Sequence, residues 1–327
     1  MRSARIDLAL DSGALILPPA GRIAVWRPVA GDDLSALPQD RVTVLTGFRP
    51  DHDHFRARGF ATDPAPPYAA GIVCLPRARD HARALLAQAA AQVAPGGPVA
   101  VDGQKTDGID SVLKELRARV PLSEALSKAH GKIAVFPAGP GLEDWAATDR
   151  QVEGFTTRPG VFSADGPDRG SMLLAAALPP KLGPKVVDLG AGWGYLSRAV
   201  LARQGVKRLD LVEAEAEALD CARLNIADDR ARFHWADATT FRPESLVETV
   251  VMNPPFHTGR AADPALGAAF IAAARRMMAP DGVLWLVANR HLPYDAPLTE
   301  HFLDVEPIGG DPAFRLIRAA KPRRPAR

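Results

Sequence analysis

Apolar positions along the chain fall into two recurring arrangements. Runs of four or five consecutive apolar residues, bounded by glycine, proline or charge, predict strands buried on both faces, while longer Ala/Leu-rich stretches with spaced polar positions predict helices. Residues 79–94 read as a helix stopped by Pro95-Gly96-Gly97, and residues 99–101 follow as a strand. Residues 266–279 repeat the unit, stopped by Pro280-Asp281-Gly282 and followed by a buried strand at 283–287. Upstream of each copy a strand runs into a glycine: 41–45 before Gly47, and 185–189 before Gly190. Each half also ends in a closing strand, 132–136 and 314–318. The echo predicts a duplicated α/β domain, with the polar segment 142–168 as linker.

Within the second half the order is strand 185–189, helix 195–203, strand 208–212, helix 216–227, short strand 231–235 and strand 249–252, before the helix and strand already named. Strands alternating with helices predict mostly parallel twisted sheets flanked by helices, with right-handed crossovers. A ligand then binds at the carboxyl ends of the strands.

Composition narrows the class. A chain of 327 residues accommodates two domains, read as 1–150 and 151–327. At 47% hydrophobic and 24% charged it reads as globular, and 40 basic against 38 acidic residues exclude a polycation, so any nucleic-acid contact comes from local patches. Cys74 and Cys221 are far apart and form no metal or disulfide pattern, so two buried thiols and no metal are expected. Asp7 and Asp11 interrupt any signal-like apolar core, and no run spans a bilayer, so a cytoplasmic location is expected. The basic end, 322–327, reads as an unstructured tail serving solubility or a weak phosphate contact.

The chemistry clusters at strand ends. Asp188-Leu189-Gly190-Ala191-Gly192-Trp193-Gly194 closes one strand and opens a helix. Its third glycine comes one residue too early for a dinucleotide fingerprint, which weakens a nicotinamide reading. The loop instead resembles motif I of class I S-adenosylmethionine-dependent methyltransferases. Glu213, roughly 20 residues on at the next strand end, is placed to accept both ribose hydroxyls of an adenosyl ligand, or simply to start a helix. Asp237 is placed to accept from an adenine amine, or to form a turn. Trp193 and Tyr195 read as packing, and Arg275-Arg276 as the solvated face of a helix.

The most selective segment is Asn253-Pro254-Pro255-Phe256, directly after a buried strand. Two prolines freeze an extended turn, holding the Asn253 Oδ1 and the Pro254 carbonyl as fixed acceptors. An exocyclic amine or amide is a poor nucleophile, and two acceptors on its N–H protons favour the pyramidal, positively charging nitrogen that attacks a methyl group. Phe256 offers a stacking face for a base drawn out of its helix. His257 reads as orienting this loop rather than as a base, and the proton leaves to water.

The run Gly160-Val161-Phe162-Ser163, then Asp168-Arg169-Gly170-Ser171, DLGAGWGYLS, NPPFHTG, VANRHLPY (287–294) and FRLIRA (314–319) resembles the bacterial ribosomal RNA small subunit methyltransferase C family. The resemblance spans the second half in motif order, and Gly108 to Ser111 and Ser127 to Lys132 resemble the family's first domain less distinctively. It implies methyl transfer from S-adenosylmethionine to the N2 amine of one guanine in 16S rRNA, free or within the 30S subunit. It further implies two tandem Rossmann-like methyltransferase domains of which only the second keeps its cofactor site, with Ser171 beside the cofactor. The first half, with Leu45-Thr46-Gly47-Phe48 at the motif I position and no Asn-Pro-Pro, would serve as support or RNA placement. A domain duplicated within one chain is consistent with a monomer. Trp193 and Tyr195 are bulkier than the family's usual loop residues, and Glu213 stands where aspartate is common.

Alternatives within enzymes are a 23S rRNA guanine-N2, protein glutamine or DNA adenine methyltransferase, though the latter two more often carry tyrosine where Phe256 stands. From another class, the chain would be a catalytically silent RNA-binding assembly factor, against which the intact glycines and Asn253 argue.

Overall fold

The computed structural model describes residues 2–255 and 264–323, together with the backbone at 257–258 and 261–262. The chain divides into two compact units, Met1–Thr148 and Asp149–Arg327.

The first unit runs α1 (Arg2–Asp11), β1 (Ile23–Trp26), β2 (Val42–Leu45), α2 (Arg49–Ala57), β3 (Ala70–Cys74), α3 (Arg79–Gln92), β4 (Pro98–Gln104), α4 (Ile109–Arg117), β5 (Leu126–Lys128) and β6 (Gly131–Pro137). Its sheet order is β2-β1-β3-β4-β6-β5, with β2 to β4 parallel and the β6–β5 end antiparallel. Strands β1 and β3 are buried throughout, as a sheet covered by helices on both faces requires. At the end of β4, Asp102 is wholly buried and forms an ion pair with Arg5 of α1, Nε to Oδ1 2.5 Å.

The second unit opens with a hairpin, β7 (Arg150–Val152) and β8 (Phe155–Thr157), then α5 (Arg169–Ala177), β9 (Lys185–Leu189), α6 (Tyr195–Leu201), β10 (Arg208–Glu213), α7 (Ala216–Asn225), β11 (Ala231–Trp235) and β12 (Val247–Met252). A two-stranded ribbon, β13 (His257–Thr258) and β14 (Ala261–Ala262), precedes α8 (Pro264–Met277), β15 (Met278–Asn289), α9 (Asp295–His301), β16 (Phe302–Gly310) and β17 (Phe314–Pro322). The sheet order is β11-β10-β9-β12-β15-β17-β16, parallel up to β15 and antiparallel beyond. Val187 and Val250 face one core with Ile271 and Leu284, while Val186 and Val251 face another with Leu209 and Leu219. Both faces are covered, so these strands read as continuous apolar runs.

The two sheets share one winding. Numbered within its own sheet, the second unit runs 3-2-1-4-5-7-6; in the same numbering the first runs 2-1-4-5-7-6, with no counterpart of β11 among the described residues. This topology corrects one equivalence expected from the sequence. The strand matching β9 is β1, between β2 and β3, and Val42–Leu45 is the outer strand that matches β10. The motif I position of the first unit therefore follows Trp26 rather than Leu45. Ile23–Trp26 and Val42–Leu45 are both four-residue runs, so length and hydrophobicity do not tell them apart, and only their pairing in the sheet does.

The expected linker is also corrected. Trp145 packs in the first core, with Arg119 and Arg83 over its ring at 4.9 and 5.5 Å. From Asp149 the chain belongs to the second unit, where Phe155 is buried against Trp193, ring centroids 4.9 Å apart. The Arg275-Arg276 pair is half-buried rather than a solvated face, and both guanidinium groups donate to carbonyls, of Arg323 and Thr239. Cys74 and Cys221 are buried free thiols.

Candidate active site

The carboxyl ends of β9, β10 and β12 lie side by side, and the turn after β9 is tied to its neighbour before any ligand is considered. Gly190 and Ala191 N–H both donate to the Val212 carbonyl, at 2.9 and 3.0 Å. Gly192 N–H donates to Glu213 Oε2 at 2.8 Å, while Glu213 Oε1 accepts from Glu215 N–H at 2.8 Å. Burial pushes the Glu213 carboxyl above its usual range. Gly194, at φ +93°, starts α6, and a Cβ there would lie 2.8 Å from Ile226 Cδ1. Gly192, at φ +56°, has no atom within 4 Å of where its Cβ would be. That bare face belongs to a cleft.

Asp188 sits wholly buried beneath the loop. Its Oδ2 accepts from Ser197 Oγ at 2.6 Å, and its Oδ1 has no hydrogen-bond partner among the described residues. Desolvation, with Glu213 nearby, raises its carboxyl to about 7. An unpartnered buried acceptor, a second acid at the next strand end and an open glycine face fit a ligand that carries positive charge and an adenosyl group.

On the other side of the cleft stand Asn253, at the end of β12, and Asp168 with Ser171, at the start of α5. Asp168 Oδ2 caps α5 by accepting Ser171 N–H at 2.9 Å. The Asn253 Nδ2 donates to Asp168 Oδ2 at 2.8 Å and to Ser171 Oγ at 2.9 Å. The amide nitrogen is thus held by two acceptors, and Asn253 Oδ1 lies on the opposite branch of the amide. Pro254 is buried and Pro255 exposed.

Of the residues expected at the site, Gly190, Gly192, Ser171 and Asn253 line one cleft, Asp188 and Gly194 support its floor, and Glu213 grips its loop. Asp237 is placed apart from that lining. Two residues beyond β11, its Oδ1 accepts from Thr239 N and Oγ1 at 2.8 and 2.7 Å, forming the turn. Phe256 and the His257 side chain lie outside the described residues, as does the tail beyond Arg323.

Sequence reasoning missed two contributors. Asp168 entered only as part of a family run, because nothing in the local sequence indicates its contact with Asn253, 85 residues away. Phe162 is 60% exposed at the cleft although large and apolar, and its carbonyl is held by Trp193 Nε1 at 2.8 Å. Ser163, at φ +53°, bonds through Oγ to the Gly166 carbonyl at 2.6 Å and shapes the same loop. Trp193 and Tyr195 do pack, in a cluster with Phe155, and also form part of the cleft wall. A second cavity, at the start of β12, is lined by Arg242, Glu244, Leu246 and Arg276 and contains none of the expected residues. Among the described residues, no group of His, Cys, Asp or Glu could hold a metal ion, and no helix is long and apolar enough to cross a membrane.

A 3-2-1-4-5-7-6 sheet with an acid at the end of its first strand and three glycines after it, an acid ending its second and Asn-Pro-Pro after its fourth defines a class I methyltransferase. Comparison with known proteins agrees: residues 153–318 match the family model "Methyltransferase small domain". The ribosomal RNA small subunit methyltransferase C of Alteromonas mediterranea is 31% identical over 76% of this chain and 72% of its own length. That of Pseudomonas aeruginosa is 30% identical over 81% and 83%. The solved T. thermophilus 16S rRNA N2 G1207 methyltransferase, in complex with AdoMet and guanosine, superimposes with a TM-score of 0.78 at 25% identity, covering 94% of this chain and 90% of that one. The chain belongs to the ribosomal RNA small subunit methyltransferase C family.

Proposed function

We propose that this protein transfers a methyl group from S-adenosylmethionine to the N2 amine of a guanine in 16S rRNA. The observation that carries the reading is the Asn253 amide, whose nitrogen is held by two acceptors and whose oxygen accepts no hydrogen bond among the described residues, beside the glycine loop. The relatives' names favour the small-subunit RNA over the 23S, protein and DNA alternatives.

When bound, the cofactor supplies an electrophilic methyl group on a sulfonium. The loop from Gly190 to Gly194 would lie along it, with Glu213 accepting from the ribose, Asp188 and Ser171 serving the charged end and Asp237 the adenine. Asn253 Oδ1 and the Pro254 carbonyl would accept the two N–H protons of the guanine amine. They thereby favour the pyramidal nitrogen and its developing positive charge in the transition state. As the nitrogen–carbon bond forms and the sulfur–carbon bond breaks, the surplus proton leaves to water, because neither acceptor is a base. Phe162 would offer a planar apolar face to the base at the cleft mouth, with Phe256 as a second.

The first unit would bind no cofactor. Wholly buried Val25 stands at the Asp188 position, and Leu45 ends the strand that matches β10. Its post-β1 turn is closed by Asp32, which accepts Val29 N–H at 3.0 Å and Arg2 Nε at 2.8 Å. Support or RNA placement is its role in this reading, with residues 1–150 and 151–327 as the functional division.

The test is nucleoside analysis of rRNA from a strain lacking the gene. N2-methylguanosine should fall in the small subunit and return with the wild-type gene but not with Asn253→Ala. Unchanged small-subunit N2-methylguanosine would overturn the reading.

A further inference from the structure

We infer that Asp168 is a positioning residue for methyl transfer, setting both the orientation and the polarity of the Asn253 amide. The inference rests on the guanine-N2 reading above and assigns a role to a residue outside the Asn-Pro-Pro segment and the glycine loop.

One oxygen does two jobs. Asp168 Oδ2 accepts Ser171 N–H at 2.9 Å, which caps α5, and accepts Asn253 Nδ2 at 2.8 Å across 85 residues of chain. The same cap places Ser171 Oγ 2.9 Å from Asn253 Nδ2, and Ser171 is only 8% exposed. A helix cap needs the first contact and not the second.

The chemistry of the pair dictates the rest. A carboxylate has no proton to donate, so it selects the nitrogen of the Asn253 amide and repels its oxygen. A flipped amide would set Oδ1 against Asp168 Oδ2 and leave Nδ2 facing the substrate amine as a donor against a donor. Asp168 therefore excludes the inactive orientation. A hydrogen bond from an amide N–H to a charged acceptor also draws electron density towards the carbonyl oxygen, which makes Oδ1 a stronger acceptor as positive charge develops on the amine.

Single-turnover methylation of 16S rRNA by the full-length chain tests this with four variants. Asp168→Ser keeps a capping oxygen but is too short to hold Asn253, and Asp168→Asn keeps the cap and an acceptor without the charge. Asn253→Ala and the double variant Asp168→Ser/Asn253→Ala complete a cycle. The Ser variant should slow the chemical step by about tenfold to a hundredfold, as for a misplaced reacting partner, with the RNA KM near wild type. The Asn variant should fall between it and wild type, at an unchanged unfolding midpoint. In the Asn253→Ala background Asp168→Ser should cost nothing further, because the group it positions is gone.

Additive losses, or a wild-type rate in Asp168→Asn or Asp168→Ser, would overturn the inference. Should the Ser variant fail to fold, the rate of the capped Asn variant decides alone. A wild-type chain that transfers no methyl group to guanine in 16S rRNA would refute the functional reading itself, before any variant is compared.

Discussion

Gly192 N–H donates to Oε2 of Glu213 at 2.8 Å, so the acid that ends β10 also fixes the glycine loop that follows β9. In the proposed reading, loop shape and adenosyl recognition are coupled through this one side chain. Glu213→Ala should weaken cofactor binding by roughly 1.5–3 kcal/mol, the scale for losing charged hydrogen bonds. Glu213→Gln, which keeps one acceptor, should lose less. Calorimetric titration with S-adenosylmethionine checks the order, and equal affinities for all three proteins would place the ribose elsewhere.

Asn253→Ala should reduce turnover by about a hundredfold or more, the scale for removing one preorganised transition-state partner, with cofactor affinity close to wild type. Phe162→Ala should act instead on RNA, raising its apparent requirement by roughly 1–3 kcal/mol of lost stacking. Rates at saturating cofactor over a range of RNA concentrations separate the two, and a turnover defect confined to Phe162→Ala would reverse the assignment.

Two glycines should respond differently to alanine. At Gly192 the new methyl meets nothing within 4 Å, so the protein should stay folded, pay about 1–2 kcal/mol for φ +56° and lose cofactor affinity as the methyl enters the cleft. At Gly267 it would lie 1.8 Å from Oη of the wholly buried Tyr294, so the fold itself should suffer. Thermal unfolding and cofactor titration on both variants check this, and an unimpaired cofactor affinity in Gly192→Ala would show that the open face is not the ligand's.

Stability should carry the imprint of Asp188. Its carboxyl titrates at about 7 when folded, against 3.8 in the unfolded chain, because burial disfavours its charge. The folded state therefore holds an extra proton between those values. The contribution is fully present below pH 3.8, declines as pH rises and is gone above about 7. Urea midpoints measured from pH 5 to 8 should fall with rising pH more steeply in wild type than in Asp188→Asn. Parallel curves would assign the proton to another group.

A single cofactor should bind per full-length chain, since with β1 laid on β9 the strand registers put Val25 where the second unit has Asp188 and Thr46, just past Leu45, where it has Glu213. Titration to saturation gives the stoichiometry directly, and two equivalents would contradict a degenerate first unit.

The sequence alone determined what is local and contiguous. Asp188 to Gly194 is legible as a strand-to-helix turn because glycines and a strand-ending acid are adjacent in the chain. Asn253-Pro254-Pro255 is legible because two prolines constrain their own backbone wherever they stand. The buried strands of the second unit announced themselves as apolar runs because helices cover both sheet faces. Only the tertiary structure decided which strands correspond between the two units, since β1 and β2 exchange meaning according to their order in a sheet, and no local pattern encodes that order. It also decided that the polar stretch after Trp145 is folded, because Phe155 finds its partner Trp193 some forty positions away. Above all it joined Asp168 to Asn253: a hydrogen bond across 85 residues depends on where the start of α5 meets the end of β12, and that meeting is set by the packing of the whole sheet.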